Sequence, residues 1–299
     1  MTVVLRPDAP LTEADVVAVA RAGARVELSP DALARLEKAR AAVDELARSS
    51  TPAYGVSTGF GALATRHIPA ELRTRLQRSL VRSHAASSGA EVEQEVVRGM
   101  ALLRLRTMAT GRTGVRPQTA QAYADLLNAG ITPVVREFGS LGCSGDLAPL
   151  AHVALAVQGE GEVRYDGSLT TADRALRAAG LAPVELAEKE GLALINGTDG
   201  MLAMLLLACH DLAALLTVAD LAAAMSVEAL LGTDRTLAAE LMALRPHPGQ
   251  ASAAANMRRL LDGSAIVASH RGPEDTRVQD AYSLRCAPQV AGAARDTLA

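Results

Sequence analysis

Residues 139–150 read Gly-Ser-Leu-Gly-Cys-Ser-Gly-Asp-Leu-Ala-Pro-Leu, and this segment is the most informative part of the chain. Its glycines allow the backbone to bend sharply or to approach other atoms closely. Asp146 precedes an apolar run in the position of a helix cap, and Pro149 lies within the first turn, where proline is tolerated. The segment therefore predicts a tight loop that carries a Ser-Gly unit to the start of a helix.

This loop suits three kinds of chemistry. A nucleophile elbow requires Gly-x-Ser-x-Gly, and Asp146 stands two residues after Ser144, which excludes it. A thiol nucleophile at Cys143 needs a histidine folded against it, and the sequence alone does not place His152 there. In the third, the amide nitrogen of Gly145 attacks the carbonyl carbon of Cys143, and loss of two waters converts Ser144 into an exocyclic alkene. Taken alone, the triad also fits a plain glycine-rich turn before a helix.

The segment resembles the signature of the aromatic amino acid ammonia-lyases and aminomutases, which build a 4-methylidene-imidazol-5-one (MIO) group from their own backbone. With the motifs described below, it is most similar to the histidine ammonia-lyase branch of that family. The resemblance implies an MIO group formed from Cys143-Ser144-Gly145 and contacted by Asp146 and Asn196, with no metal and no diffusible cofactor. It covers essentially all 299 residues, whereas the family's chains run considerably further.

The composition favours helices and excludes several classes of function. Hydrophobic residues make up 49% of the chain but aromatic residues only 2%, so alanine and leucine carry the apolar surface. The net charge of −3 and the pI near 6.1 provide no basic surface for nucleic acid. Three cysteines argue against a disulfide framework. Charged residues interrupt the amino-terminal segment, which does not resemble a signal peptide, so we expect a cytoplasmic protein.

Two helix starts are marked by their capping residues. Thr12-Glu13-Ala14-Asp15 has the character of a capping box and predicts a short helix that ends near Gly23. Ser29-Pro30-Asp31 combines a cap, a proline at the first helical position and an acid in the first turn. Both helices are predicted to be scaffold.

We expect a mainly α fold, and the resemblance makes it a long-helix bundle of the ammonia-lyase type with a loop-rich active-site region and at most a small β hairpin. The hairpin is predicted around Asp166-Gly167. By resemblance, 1–299 is a single mostly helical region, with the loop-rich active-site part in 1–200 and the start of the central helical bundle in 201–299. The sequence stops within a helical pattern, so we expect a chain truncated at its C-terminus.

Residues 201–231 are strongly apolar and resemble a membrane span in composition. However, charged side chains interrupt the segment, and its continuous apolar runs are too short to cross a bilayer. We therefore expect no membrane partner and a long buried helix that packs against equivalent helices in its own or another subunit, which suggests an oligomer. The resemblance implies that this homo-oligomer is a tetramer.

Three residues of the first 200 acquire roles through the resemblance. Tyr54, in the glycine-rich loop 51–61, corresponds to the base that removes the substrate's β-proton, although an isolated tyrosine more often packs. His84 follows Ser83 at the position of the substrate side-chain pocket, where an imidazole suits a histidine substrate. Asn196, between Ile195 and Gly197, is expected near a buried turn as a contact of the MIO group or substrate; the alternative is an Asx turn.

The motif at 278–289 supplies the remaining candidates. Arg285 suits the substrate carboxylate, because a guanidinium binds carboxylates with two parallel hydrogen bonds. The resemblance places Tyr282 near the amine and the MIO group, and Gln279 in the same pocket. The alternative for this motif is an Arg-Asp surface pair of little energetic value.

The resemblance thus predicts deamination of L-histidine to trans-urocanate and ammonia. Within the same chemistry, the alternative is a tyrosine or phenylalanine ammonia-lyase or aminomutase, against which His84 argues. A helical assembly module with an inert site is the alternative from another class. A fumarase-type helical lyase carries little weight, because no loop here resembles its signature.

Overall fold

The computed structural model describes residues 1–275 and 277–299 and is mainly helical, as the sequence predicts. The chain divides into two compact units, Met1–Leu207 and Ala208–Ala299. Helix α9 begins in the first unit, and its residues from Ala208 onward belong to the second. Each unit is described by itself.

The first unit alternates helices with short strands. Its helices are α1 (Glu13–Ala22), α2 (Pro30–Arg48), α3 (Ala70–His84), α4 (Gln94–Ala109), α5 (Pro117–Asn128), α6 (Leu147–Val157), α7 (Ala172–Ala178), α8 (Glu190–Ile195) and the start of α9 (Asp199–Ala229). Its strands are β1 (Thr2–Leu5), β2 (Arg25–Leu28), β3 (Ser88–Glu91), β4 (Thr132–Pro133), β5 (Arg136–Phe138), β6 (Glu162–Tyr165) and β7 (Ser168–Thr171).

The predicted helix caps are confirmed. The side chain of Thr12 accepts a hydrogen bond from the Asp15 amide, and the Asp15 carboxylate accepts one from the Thr12 amide, so the capping box is complete. Helix α1 then ends at Gly23, whose φ of 63° is left-handed. Ser29 caps α2 by accepting from the Ala32 amide, with Pro30 at the first helical position.

The predicted hairpin is present, and further short strands accompany it. Strands β6 and β7 pair antiparallel across Asp166 and Gly167, which both have positive φ. Strand β4 joins their sheet, β1 pairs parallel with β2, and β3 pairs antiparallel with β5. These additional strands have two to four residues each, too few for an alternating pattern to reveal them. The β3–β5 pair matters for the site, because it connects the end of α3 to the start of the loop at 139.

Helix α4 lies at the centre of the first unit. Leu102, Leu105 and Met108 are fully buried on it, and it packs against α1, α2 and α5. This continuous burial also encloses one charged residue, Arg104, of which only 4% is exposed. A guanidinium in such surroundings requires partners, and it finds them in the candidate site described below.

The second unit has a smaller core. Besides the rest of α9, its helices are α10 (Ala239–Ala243), α11 (Pro248–Leu261), α12 (Ala265–Ser269), α13 (Tyr282–Arg285) and α14 (Ala287–Leu298). Helices α11 and α14 pack closely, and glycine at position 249 allows this, because a Cβ there would collide with the Gly292 carbonyl. Asp220, which is 2% exposed, is bound by Arg295 at 2.6 Å and by Asn256 at 2.7 Å.

Helix α9 is exposed along much of its apolar surface, where the sequence predicts burial. Apolar side chains between 37% and 61% exposed line it: Met201, Leu202, Met204, Leu205, Leu212, Leu215, Val218, Leu221 and Met225. The single chain does not cover this surface, and its burial against another subunit stays a prediction. By length and composition alone, the helical stretch Glu190–Ala229 could cross a membrane. This is weak evidence, since a core helix passes the same test.

Candidate active site

The loop between β5 and α6 turns the chain back on itself. The Leu141 amide donates to the Gly145 carbonyl at 3.0 Å, and the Gly145 amide donates to the Gly142 carbonyl at 2.9 Å, which closes a 3-10 turn over Gly142–Ser144. Cys143 and Ser144 are exposed at the tip, whereas Gly145 is buried. The loop therefore presents a Cys-Ser unit outward while it anchors the following residue.

Gly145 has a backbone that other residues do not adopt. Its φ of 116° and ψ of 160° fall in a region restricted to glycine. A Cβ at this position would also lie 3.2 Å from the Gly197 carbonyl oxygen. The backbone angles and the lack of room for a Cβ both require glycine here. The carbon next to the amide nitrogen therefore carries no side chain. This uncrowded nitrogen and the exposed Ser144 fit the residues from which an MIO group would form.

Asp146 binds a different helix from the one that the sequence suggests. It stands before α6, but its side chain does not cap that helix. Instead the carboxylate, on a residue 1% exposed, accepts from the Gly200 amide at 2.8 Å, the Met201 amide at 3.0 Å and the Ser140 hydroxyl at 2.6 Å. It thus satisfies the free amides at the start of α9, where the helix dipole favours a negative charge.

The segment between α8 and α9 packs against this loop and supports it. The Gly197 carbonyl accepts from the Asp146 amide at 2.7 Å. The Asn196 carbonyl accepts from Nη1 of Arg104 at 2.6 Å, while the Asn196 side chain is exposed. The backbone of Asn196 is therefore anchored to a buried side chain, whereas its own carboxamide belongs to an exposed residue. That carboxamide is accessible to a ligand.

His84 lies at the last position of α3 and is half-buried. Its Nδ1 is 2.9 Å from the Leu80 carbonyl oxygen and 3.1 Å from the Ser83 hydroxyl. A carbonyl oxygen can only accept, so Nδ1 carries the hydrogen, and Nε2 is the acceptor whenever the ring is neutral. The β3–β5 pair ties the chain that follows His84 to the chain that precedes the loop.

Tyr54 is half-exposed in a loop that is docked onto α8. Its hydroxyl accepts from the Gly61 amide at 3.1 Å, and its ring contacts Phe60 edge-on with 5.9 Å between centroids. The next residue, Gly55, fixes the loop, because its carbonyl accepts from the Lys189 amide at 3.1 Å. Gln77, fully buried, accepts from the Gly191 amide at 2.9 Å and thereby joins α3 to α8 beneath the loop.

His152 is engaged away from Cys143. The Ser87 hydroxyl accepts from the Arg136 amide at 3.2 Å and is hydrogen-bonded to Nε2 of His152 at 2.8 Å. Burial, with a smaller contribution from the charge of Arg136, lowers the pKa of His152. A thiol nucleophile paired with His152 therefore receives no support from the geometry, because Nε2 of His152 is engaged by Ser87 and not by Cys143.

The three candidates of the second unit lie on and just before α13. Gln279 is exposed, and Tyr282 is 75% exposed. Arg285 is half-buried, and its buried Nε has no hydrogen-bond partner in the described part of the chain. The alternative of an Arg-Asp pair does not involve Arg285, since Asp280 accepts from the Thr233 amide at 2.6 Å and lies 3.7 Å from Arg277.

Two buried charges near the site were not predicted from the sequence. Arg104 and Asp199 lie 3.5 Å apart beneath the Asn196–Gly197 backbone. Burial raises the pKa of Asp199, and the charge of Arg104 opposes that shift. The signal in the sequence is an arginine within the apolar pattern of α4, which by itself does not identify a partner. Among the described residues, no group of three or more His, Cys, Asp or Glu side chains could hold a metal ion.

Comparisons with known proteins show what the chain is similar to. The family model described as "Aromatic amino acid lyase" matches residues 11–299. A histidine ammonia-lyase of Streptomyces coelicolor is 64% identical over 97% of this chain, which covers 56% of that relative. The chain thus spans about half the length of the curated relatives it matches.

Two solved structures illustrate the similarity of the fold. The histidine ammonia-lyase of Trypanosoma cruzi is 37% identical with a TM-score of 0.86, and the similarity covers 100% of this chain and 54% of that one. The tyrosine aminomutase of Streptomyces globisporus is 37% identical with a TM-score of 0.92, over 100% of this chain and 59% of that one.

A matched pair of glycine substitutions tests the constraint on the loop. We expect Gly145→Ala to lower the free energy of unfolding by about 3 kcal/mol, because the backbone is restricted to glycine and the Cβ meets a carbonyl. Gly142→Ala is the control, since Gly142 also has positive φ but no atom lies within 4 Å of its Cβ position. It should cost about 1 kcal/mol. Urea unfolding measures both, and equal losses would contradict the close approach to Gly197.

The buried histidine predicts a pH dependence of stability. The folded pKa of His152 is lowered, so the unfolded chain takes up the proton first as pH falls through the ordinary value near 6.5. Stability should therefore decline below that pH. His152→Gln, which can still accept from Ser87, should reduce the decline between about pH 7 and pH 5. The control is His67→Gln, at an exposed position. A decline in His152→Gln as steep as in the unsubstituted protein would exclude this origin.

Proposed function

The chain belongs to the aromatic amino acid lyase family, and from that membership we propose that it carries out, as part of its enzyme, the deamination of L-histidine to trans-urocanate and ammonia. The glycine-restricted backbone at Gly145, directly after an exposed Cys-Ser unit, is the observation that carries the proposal. The 64% identity to a histidine ammonia-lyase supports histidine as the substrate.

Cys143-Ser144-Gly145 would form the MIO group, which supplies an electron-poor double bond that makes the substrate's amine a better leaving group. Protein side chains offer many nucleophiles but no electrophile of comparable strength, which explains why the backbone itself would be used. The buried Gly145 and Asp146 fix one end of this triad. The Asn196 carboxamide is assigned to contact the group or the substrate.

The substrate's imidazole is assigned to His84. With its hydrogen on Nδ1 and bonded to the Leu80 carbonyl, His84 offers Nε2 as an acceptor for an imidazole N–H. A phenyl substrate gains nothing from this contact, because its ring carries no hydrogen-bond donor. The structure is equally similar in fold to a tyrosine aminomutase, so the choice among ring systems depends on this residue and on the sequence relatives.

The remaining roles follow from the family resemblance. Tyr54 takes the β-proton, and its exposed position in a glycine-rich loop suits a residue that reaches a bound substrate. Arg285 binds the carboxylate, Tyr282 acts near the amine, and Gln279 lines the pocket. Arg285 is half-buried, and its guanidinium could bind a carboxylate with two parallel hydrogen bonds.

One experiment tests the chemistry and the substrate together. Intact mass spectrometry of the purified chain should show a loss of two waters, and Ser144→Ala should retain the full sequence mass because it has no hydroxyl to eliminate. The same preparation is then incubated with histidine, tyrosine or phenylalanine, and the ammonia released is measured. An unmodified mass rules out the cyclisation and supports an inert module. A preference for tyrosine or phenylalanine rules out the assignment of His84.

We also propose that the protein forms a homo-oligomer, a tetramer by the family resemblance. The exposed apolar side chains of α9 support an association that covers them, because large exposed apolar surfaces usually mark interfaces. Sedimentation velocity should therefore give a species larger than the monomer, and Leu215→Glu and Met225→Glu together should shift it toward smaller species. A folded monomer at high concentration would contradict the proposal. The cytoplasmic location stays a prediction.

A further inference from the structure

Arg104 is a buried cation without an assigned role. It lies in the middle of α4, is 4% exposed, and has fully buried leucines on either side. Removing a guanidinium from water costs several kcal/mol unless its partners compensate. Its Nε has no hydrogen-bond partner in the part of the chain that the structure describes, so the compensation must come from the other end of the group.

That other end supports the backbone between α8 and α9. Nη1 donates to the Asn196 carbonyl at 2.6 Å, a short charge-assisted hydrogen bond, and lies 3.5 Å from the Asp199 carboxylate. Gly197 passes directly over the pair, since a Cβ there would collide with both side chains. The ion pair therefore determines the distance of the 196–199 backbone from α4 and the path that this backbone takes.

The loop that would cyclise rests on the same backbone. The Gly197 carbonyl accepts from the Asp146 amide at 2.7 Å and lies 3.2 Å from the Cβ position of Gly145. Asp199 begins α9, and the two amides that follow it bind the Asp146 carboxylate. The contacts that Gly145 and Asp146 make outside their own loop thus lead, within one or two residues, to the segment that Arg104 supports.

We propose that Arg104 is a positioning residue for the backbone cyclisation, an inference that rests on the proposed function. In that reaction the nitrogen of Gly145 bonds to the carbonyl carbon of Cys143, and the hydrogen of that nitrogen passes to the carbonyl oxygen. The resulting hydroxyl leaves with the amide hydrogen of Ser144 as one water. The Ser144 hydroxyl leaves with its Cα hydrogen as the second.

Positioning limits this reaction because the ground-state loop is not yet aligned for it. The Gly145 amide donates to the Gly142 carbonyl, three residues back, and must give up that bond to attack the Cys143 carbonyl. Because Gly197 is held in place, it restricts the conformations that the loop around Gly145 can adopt after this hydrogen bond is broken. Misplacement of reacting atoms by about 1 Å can cost up to about 100-fold in rate.

The test compares arginines on one helix. Arg104→Met removes the charge and the hydrogen bond to Asn196, and Arg104→Lys retains the charge alone. Arg106→Met is the matched control, because Arg106 also donates to backbone carbonyls, those of Pro7 and Ala9, but on another side of α4. The two-water mass loss is followed over time in each 299-residue chain, and circular dichroism and urea unfolding report the folded fraction.

We expect cyclisation at least about tenfold slower in Arg104→Met at equal folded fraction, an intermediate rate in Arg104→Lys, and an unchanged rate in the control. If Arg104→Met does not fold, Arg104→Lys decides alone: a slower rate supports the inference, and the unsubstituted rate overturns it. Equal rates in the folded Met variant and the unsubstituted chain also overturn it. If the unsubstituted chain shows no mass loss, both the proposed function and the inference about Arg104 fail. If it shows the mass loss and the Arg104 variants do so at the same rate, only the inference about Arg104 fails.

Discussion

The carboxylate of Asp146 joins two segments of the chain that are 54 residues apart in sequence. On one side it holds the loop through the Ser140 hydroxyl, and on the other it accepts from the first amides of α9. A helix start has unpaired amides and a partial positive charge, so a buried carboxylate is stabilised there without a full cation. The rest of the site is arranged around this contact: the tip of the loop can be exposed because its base is fixed.

The glycines near this contact act together. Gly145 takes a backbone restricted to glycine, and Gly197 lies too close to Arg104 and Asp199 for any side chain. The two residues face each other, with a carbonyl of one against the Cα of the other. Glycine is usually costly in a folded chain because it loses the most conformational freedom. Here the absence of side chains at both positions allows the two backbones to approach each other closely.

Local signals in the sequence predicted the local structure well. The capping box at Thr12, the helix start at Ser29 and the hairpin at Asp166-Gly167 depend on residues within four positions of one another, and all three are confirmed. Composition predicted the mainly helical fold. The short strands were missed because β1 and β2, for example, are stabilised by each other across α1 rather than by an alternating pattern. The loop was predicted because closely spaced glycines are typical of a sharply bent backbone.

Long-range partners could not be predicted in the same way. Asp146 was expected to cap the helix that follows it, and its actual partners belong to a helix that begins at Asp199. Asn196 was expected near a buried turn, but its apolar neighbours did not indicate that Arg104, 92 residues away, binds its carbonyl while the residue itself is exposed. A buried ion pair is weak evidence for stability, since apolar residues of similar size often serve as well. The pair of Arg104 and Asp199 is therefore better explained by what it positions: apolar side chains could fill the same space, but they could not hold a carbonyl at a fixed point beneath the loop.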